Sequence, residues 1–342
     1  MLKKIVSVLA LAGLFVAAAT NSRAETISQN FAGSPLTNGW FVFGDSSHFV
    51  WNPTSQNLQV TWDSSHTNSY FYHPLGTTVS RYDDFQIEFD LKLDECVSGN
   101  EPGKTGPLQI GIGLVNLAVV TNSSYGRGIY GGTPNIAEFN YFPYGYYTFG
   151  QDIFVSDPTT VADFVSSSGF GYAPTFFDPF FEFALPTNQP VHVAMKFTAK
   201  NQSLSLTLTT NNVVCYHPPD VVLNGPASGF TTNDNFLVDT FSISSYSSYG
   251  DDFDSVLGHG TVDNLFINIP PVQDFTGAFS DGLWQAQFRS RTNWSYVLER
   301  TLDFSLWTNV SPNVAGNATN LILQDTNPPI AKAFYRVRAT QP

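Results

Sequence analysis

The sequence predicts an all-β protein in which a large two-sheet sandwich is followed by a small C-terminal β module. Two observations lead to this prediction. Residues 85–94 alternate strictly between apolar and polar side chains, which is the period of a strand with one buried face. Aromatic residues make up 15% of the chain and charged residues only 13%, a composition typical of extended sheets rather than of disordered chains.

The first 24 residues have the pattern of a secretory signal peptide. Lys3 and Lys4 precede an apolar run over residues 5–20, and the small residues Ser22 and Ala24 stand just before a cleavage site ahead of Glu25. The apolar run is short for a membrane span, and no second run of about 20 apolar residues follows it. We therefore expect an exported protein, secreted or at the cell surface, without membrane insertion.

Short strands separated by turn residues follow along the chain. Alternating or apolar runs bounded by turn residues occur at residues 57–62, 69–75, 85–94, 107–115, 236–246 and 261–269. Residues 190–199 and 202–210 are the best candidate for a hairpin, because the leucines of the second run alternate cleanly after a tight turn. Residues 150–186 have no sustained period, and either a lid or a packed insertion is compatible with them.

A change in charge at Pro270 and Pro271 predicts a domain boundary. Residues 25–271 contain 6 Lys or Arg against 23 acidic residues, whereas residues 272–342 contain 6 against 5. The sequence thus divides into a signal peptide over residues 1–24, a sandwich domain over residues 25–270 and a C-terminal β module over residues 272–342. The module has at least four short candidate strands.

The acidic balance excludes some classes of partner. The formal charge is −13, and it becomes −16 when Lys3, Lys4 and Arg23 leave with the signal peptide. Nucleic acids and anionic lipids gain nothing from an acidic surface, because neither phosphate nor headgroup charge is neutralised there. We expect neither as a partner.

Cys96 and Cys215 are the two cysteines of the chain. In an exported protein they are expected to form a disulfide that closes a loop of about 120 residues, and two free thiols are the alternative. The six histidines do not follow a metal-binding spacing, so the sequence does not predict a zinc site.

Three segments resemble the concanavalin A-like lectin/glucanase jelly roll. They are residues 83–94, the Gly-rich residues 108–114 and residues 260–267, which are similar to the closing strand of such sandwiches. The resemblance implies a two-sheet jelly-roll sandwich over residues 25 to about 270. The last 70 residues resemble a small β-sandwich-like module found at the C-terminus of exported bacterial proteins, through residues 296–301, 307–310 and 333–337.

Paired carboxylates are the first candidates for chemistry, because glycoside hydrolysis needs two acids beside one sugar. Glu88 and Asp90 are two positions apart on one strand, so their Cα atoms lie about 7 Å apart. The resemblance to the glucanase branch implies a third acid two positions further on, where this chain has Lys92. Glu138 begins a second possible match, with Asn140 in place of the Asp. We expect a solvated or ligand-facing strand rather than catalysis by Glu88, Asp90 or Glu138.

Aromatic side chains are the second candidates, because a sugar ring packs its apolar face on a flat aromatic ring. Residues 139–149 contain seven aromatic residues in eleven. The predicted ligand-binding residues are Glu138, Asn140, Tyr141, Tyr144, Tyr146 and Tyr147. Trp40 and Trp62 lie on periodic strands, where packing in the core is the favoured interpretation.

Calcium is the one cofactor that the residues make worth considering. Asp251, Asp252 and Asp254 offer hard oxygen ligands beside Gly250, but they lack the spaced pattern of a dedicated calcium loop, and an ordinary acidic turn is the favoured interpretation.

The sequence is compatible with three functions. The leading hypothesis is an exported, non-catalytic protein that binds a glycan or another surface polymer. The alternative is a secreted polysaccharide hydrolase or lyase that uses Glu88 with Glu138. The third is a structural surface or matrix protein.

Overall fold

The computed structural model describes residues 25–127, 135–143, 184–217, 220–222, 236–247, 253–330 and 332–341, together with the backbone of residues 152–155 and 165–166. Within these residues the chain is almost entirely β, which confirms the predicted fold class. Its helical elements there are a four-residue α-helix, α1 (Leu117–Val120), and two single 3-10 turns at Pro35–Thr37 and Ser46–His48. No described helix is long and apolar enough to cross a membrane. The predicted signal peptide lies outside the described residues.

Ten strands form the first sheet. They are β1 (Glu25–Gln29), β3 (Phe49–Asn52), β4 (Asn57–Asp63), β6 (Phe85–Ser98), β7 (Gly106–Pro107), β12 (Val191–Thr198), β13 (Ser203–Thr210), β14 (Val213–Tyr216), β15 (Val221–Val222) and β17 (Asp254–Ile269). The main order is β14-β13-β12-β6-β17-β4-β3, with β1 and β7 on β17 and β15 on β13. The predicted hairpin is present as β12 and β13.

Seven strands form the second sheet. They are β2 (Phe41–Phe43), β5 (Ser69–Ser80), β8 (Ile110–Val115), β9 (Ile136–Phe142), β10 (Asp152–Val155), β11 (Val165–Ser166) and β16 (Leu237–Ser245), in the order β11-β10-β9-β8-β16-β5-β2. All pairs in this sheet are antiparallel. An antiparallel sheet of this kind can bury one face and present the other to a ligand or to solvent.

The core lies between the two sheets, as the predicted sandwich requires. On β6, Phe85, Ile87, Phe89, Leu91 and Leu93 are buried, whereas the alternate residues are half-buried on the opposite face. Phe89 meets Phe139 of β9 across the interior, with ring centroids 5.9 Å apart in an edge-to-face arrangement. Trp40 and Trp62 are buried in the same core, in agreement with the interpretation of both as packing residues.

The C-terminal module has its own hydrophobic cluster. Its strands are β18 (Gln273–Ser280), β19 (Leu283–Arg289), β20 (Ser295–Thr301), β21 (Thr308–Asn309), β22 (Val314–Ala315), β23 (Asn320–Asp325) and β24 (Phe334–Thr340), which form sheets of three and four strands. Phe288, Tyr296 and Leu298 are buried in a cluster separate from the core of the sandwich. The proline pair stands between β17 and β18, in the short connection from the sandwich to the module.

A buried arginine ties the module to the sandwich. The Arg291 side chain is 3% exposed, and its Nη1 lies 3.3 Å from Asp83 Oδ1. Its Nη2 donates to Thr77 Oγ1 at 2.8 Å. An arginine buried with a carboxylate and a hydroxyl acceptor fixes the orientation of the two surfaces that it joins.

The expected disulfide is wrong, because Cys96 and Cys215 are both free thiols. Cys96 is on β6 and Cys215 on β14, and the sheet order places β12 and β13 between these strands. Three strand spacings amount to about 14 Å, well beyond the Cα separation of about 4.4–6.8 Å that a disulfide needs. Burial raises the pKa of the Cys96 thiol to about 12.

A glycine of β8 provides a test of this packing. A Cβ at Gly113 would lie against the Ala137 carbonyl oxygen and 2.6 Å from the Glu138 Cα, and both are backbone atoms of a paired strand. We expect Gly113→Ala to lower the free energy of unfolding by about 1–3 kcal/mol in urea denaturation. Gly33→Ala is the matched control, because no atom lies within 4 Å of its Cβ position. Equal stability of the two variants would contradict the β8–β9 pairing.

Candidate functional site

The outer face of the seven-stranded sheet has a polar centre. On β8, Ile110, Ile112 and Leu114 point into the core, so Gly111 and Gly113 lie on the outer face. The strand register aligns these glycines with polar residues of the neighbouring strands. One row contains Tyr70, Ser244, Gly111 and Asn140, and the next contains Tyr72, Ser242, Gly113 and Glu138.

A buried ion pair fills the centre of this face. Arg127 Nη2 lies 3.5 Å from Glu138 Oε2, and the two side chains are 1% and 0% exposed. Glu138 Oε1 accepts hydrogen bonds from the Tyr246 hydroxyl at 2.6 Å and from Ser244 Oγ at 3.3 Å. Burial raises the pKa of Glu138, and the Arg127 charge opposes that rise. The cluster therefore keeps a carboxyl group inside the protein by surrounding it with donors.

Glycine makes room for this cluster. A Cβ at Gly111 would lie 2.7 Å from Tyr246 Cε2 and 3.1 Å from Glu138 Oε2, so a larger residue would displace both partners. The Tyr246 ring is also 5.8 Å from the Tyr70 ring, and the Arg127 guanidinium lies 5.5 Å from the Tyr246 centroid. The Gly-rich β8 sequence is thus explained by a close approach of side chains across the sheet face.

The predicted ligand-binding residues are placed differently from the expectation. Glu138 and Asn140 share the outer face, but both are fully buried, and Asn140 Oδ1 accepts from Arg127 Nη2 at 3.0 Å. Tyr141 points the other way and packs in the core, so its ring does not offer a surface to a sugar. These positions correct the expectation that the three side chains contact a polymer at the protein surface. Tyr144, Tyr146 and Tyr147 lie outside the described residues.

An exposed group of aromatic rings occupies the β2 edge of the same face. We call Phe41, Phe43 and Tyr72 the β2 platform. Phe41 and Phe43 are 49% and 41% exposed, and Phe41 stacks on the half-buried Tyr72 with centroids 5.6 Å apart. The ring of Phe43 contacts the buried ring of Tyr70, with centroids 5.8 Å apart. Sequence reasoning missed this group, although the period-two aromatic pattern of Phe41, Phe43, Tyr70 and Tyr72 was available as its signal.

The carboxylates of β6 lie on the other side of the molecule. Glu88 and Asp90 are on the outer face of the ten-stranded sheet, with His192 between them. His192 Nδ1 is 2.8 Å from Asp90 Oδ1, and its Nε2 is 3.6 Å from Glu88 Oε2. Asn264 donates to the second oxygen of Asp90 at 2.7 Å. The two acids are therefore held on a half-exposed strand by an imidazole and an amide.

The pairing of Glu88 with Glu138 as catalytic acids is wrong. The two side chains project from the outer faces of opposite sheets, and packed sheets are about 10 Å apart before side-chain length is added. A glycosidase needs its two carboxyl groups on either side of one bond, about 5–9.5 Å apart. These two acids cannot reach the same sugar.

The described residues do not include a set of oxygen ligands suited to calcium. Asp251 and Asp252 lie outside them, and Asp254 is buried at the start of β17 with its carboxylate against Gly106. In the described part of the chain, one group of side chains brings three ligand atoms within 4.8 Å of one another, and it consists of Asp45, His48 and His66. One carboxylate and two imidazoles do not fit calcium, which takes six to eight oxygen ligands.

Solved structures similar to this chain include plant lectins. Peanut lectin with a 9mer peptide is 16% identical, with 71% of this chain and 99% of that chain covered and a TM-score of 0.38. Lectin II from Ulex europaeus is 12% identical, with 71% and 97% covered and a TM-score of 0.40. The exoplasmic/lumenal domain of VIP36, in its Ca2+/Man3GlcNAc-bound form, is 10% identical, with 72% and 88% covered and a TM-score of 0.36.

The protein-family comparison gives no match, and neither does the comparison with curated proteins. Peanut lectin and the Ulex protein are lectins by name. At these identities and TM-scores the likenesses do not carry an argument about function.

The buried ion pair can be tested by a double-variant cycle. Arg127→Met leaves Glu138 buried without its cation, and we expect it to lower the free energy of unfolding by about 3–5 kcal/mol near neutral pH. Arg127→Met combined with Glu138→Gln removes both charges and should recover part of that loss. Denaturant unfolding of the wild type, both single variants and the double variant measures the coupling.

The loss of stability in Arg127→Met should also depend on pH. Without Arg127, the folded state favours the protonated acid even more strongly, because burial already raises the pKa of Glu138. The folded protein then binds a proton more tightly than the unfolded chain, so stability falls as pH rises above the unfolded pKa. Arg127→Met should therefore be less destabilised near about pH 5 than near about pH 8. Additive, pH-independent losses would show that the pair does not interact.

Proposed function

We propose that this chain is an exported, non-catalytic protein that binds a neutral glycan on the outer face of its seven-stranded sheet. The observation that carries the proposal is the exposure of the β2 platform at the edge of that face. Large aromatic rings are costly to leave in water, and contiguous exposed rings on a rigid sheet are typical of a binding surface. Sugars suit such a surface because each pyranose ring has an apolar face.

The platform is held by the core rather than by a loop. Phe41 and Phe43 alternate with Val42, whose side chain packs against the interior. Trp40, the preceding residue, is buried and stacks on Phe71 with centroids 4.9 Å apart. These contacts on the inner side fix the orientation of the rings on the outer side, so little conformational entropy is lost when a ligand binds.

The charge of the protein favours a neutral ligand. A formal charge of −13 repels acidic polysaccharides, and charge complementarity would not compensate for the desolvation of their carboxylate or sulfate groups. Stacking on Phe41 and Phe43 does not require charge on the ligand. Neutral glucans and related glycans therefore match both features of the surface.

Two features support binding without hydrolysis. Glu138 is buried in contact with Arg127 and Tyr246, and it does not share a face with Glu88. Glu88 and Asp90 are both in contact with His192, which is two strands away from the edge of the ten-stranded sheet. Glu88 therefore lacks Glu138 as a second acid on its own face, and the imidazole of His192 stands between the carboxylates of Glu88 and Asp90.

The proposal predicts loss of binding when the platform rings are removed. We expect the mature wild-type chain to be retained on an insoluble neutral glucan and to release no new reducing ends. Phe41→Ala combined with Phe43→Ala should weaken retention by about 5- to 150-fold, because each ring contributes about 0.5–1.5 kcal/mol of stacking. The measurement is a depletion isotherm on the polysaccharide together with a reducing-end assay of the supernatant.

The control is Phe253→Ala. It removes a phenylalanine that is 65% exposed but immediately precedes β17 of the ten-stranded sheet and is not part of the platform. Its retention should equal that of the wild type. New reducing ends would assign an enzyme instead of a binding protein. An absence of retention across neutral glycans would favour the structural surface or matrix protein, and equal loss in both variants would remove the platform from the site.

A further inference from the structure

Three side chains from two loops converge beside the end of β2. Asp45 follows β2, His48 ends the 3-10 turn Ser46–His48, and His66 lies in the loop between β4 and β5. Asp45 Oδ2 is 3.1 Å from His66 Nδ1 and 3.7 Å from His48 Nε2. The two imidazole rings meet edge to face, with centroids 4.9 Å apart.

These separations match the edges of a small coordination polyhedron. A tetrahedral zinc ion with ligands at about 2.0–2.1 Å has ligand atoms about 3.3 Å apart. The two distances from Asp45 Oδ2 lie on either side of that value, and the three ligand atoms are all within 4.8 Å of one another.

Each of the three residues also has a partner that holds its second polar atom. His48 Nδ1 lies 3.2 Å from Ser245 Oγ, which leaves Nε2 directed toward Asp45. His66 Nε2 lies 3.8 Å from Asp63 Oδ2 when Nδ1 faces Asp45. Asp45 Oδ1 accepts from the Ser47 backbone N–H at 2.8 Å and from Ser47 Oγ at 2.7 Å. Outer partners of this kind set the tautomer and ring orientation of metal ligands.

The backbone around the site is equally constrained. Gly44 has φ of +79°, and a Cβ there would lie 2.7 Å from the Asn68 carbonyl oxygen, so the chain turns tightly against the β4–β5 loop. The Asp45 N–H donates to Ser69 Oγ at 2.9 Å. His48 is almost fully buried, with its side chain 4% exposed, whereas His66 and Asp45 are open to solvent. The site thus has a fixed inner ligand and an accessible outer side.

We propose that Asp45, His48 and His66 bind a divalent transition-metal ion of the zinc class, with the fourth position open to water. Two imidazole nitrogens and one carboxylate oxygen suit zinc and its neighbours, whereas calcium and magnesium require oxygen ligands. The bound ion joins the turn after β2 to the β4–β5 loop. This site is independent of the β2 platform and of the nature of any glycan.

The test is a titration of the full mature chain with zinc chloride after treatment with a chelator. Calorimetry at neutral pH should show one equivalent of zinc bound, with no corresponding heat from calcium chloride. His66→Gln and Asp45→Asn each remove an exposed ligand without disturbing the core, and each should weaken zinc binding by about 100-fold or more. Asp63→Asn removes only the outer partner of His66 and should weaken binding by about 10- to 100-fold.

The matched control is His217→Gln, which removes an exposed imidazole next to β14, at the edge of the ten-stranded sheet opposite β3, and should leave the zinc affinity unchanged. Cobalt substitution gives a second readout, since a tetrahedral site of nitrogen and oxygen ligands absorbs in the visible range without a thiolate charge-transfer band. Absence of a zinc equivalent in the wild type would overturn the proposal. Undiminished binding in His66→Gln and Asp45→Asn, or a thiolate band from Cys96 or Cys215, would also overturn it.

Discussion

The contact of Phe89 with Phe139 fixes which faces of β6 and β9 point outward, and with them the candidate acids of the sandwich. These rings join the apolar face of β6 to the apolar face of β9, and strand alternation then sends the neighbours of each ring outward. Glu88 and Asp90 emerge on one side of the molecule, and Glu138 and Asn140 emerge on the other. A one-residue slip of either strand would exchange core and outer faces, so the hydrophobic contact fixes the register and the chemistry together.

The outer face of the seven-stranded sheet divides into two regions with different roles. Its centre contains the Arg127–Glu138 pair beneath Tyr246, where Gly111 leaves the necessary space. Glu138 depends on Arg127 as long as it is buried, because removal of one partner leaves an uncompensated charge inside the protein. Its edge carries Phe41 and Phe43 in contact with water. The rigid centre and the exposed edge are continuous through Tyr70, whose ring contacts both Phe43 and Tyr246.

The alternation of apolar and polar residues in the sequence was enough to predict where the strands lie and which face of each strand is buried. It was not enough to predict which candidate site residues are exposed to solvent. The pattern of residues 85–94 correctly identified the core face of β6, and the leucines of residues 202–210 correctly identified β13. Glu138 and Asn140 also lie in an alternating segment, but they are covered by Arg127, which lies outside that strand, and a period-two pattern within the strand gives no sign of such a cover. The prediction of a disulfide between Cys96 and Cys215 was wrong for a related reason, because only the strand order shows that β12 and β13 separate the two residues.

The group of Asp45, His48 and His66 is a site that the sequence did not predict. Its members do not follow a metal-binding spacing along the chain, since His66 joins Asp45 and His48 only through the pairing of β2 with β5 and the tight turn at Gly44. The β2 platform, in contrast, was present in the sequence as alternating aromatics at residues 41–43 and 70–72. Its exposure became evident only when the sheet order placed β2 at an edge.

The central claim is that a glycan binds at the β2 edge of the seven-stranded sheet. Hydrogen–deuterium exchange of the mature chain, with and without a soluble neutral oligosaccharide, tests that claim most directly. The account predicts slower exchange of backbone amides at Phe41–Phe43 and in the paired segment of β5, with β6 and β12 unchanged. Protection confined to β6 and β12, around Glu88 and His192, would contradict it and move the site to the other sheet.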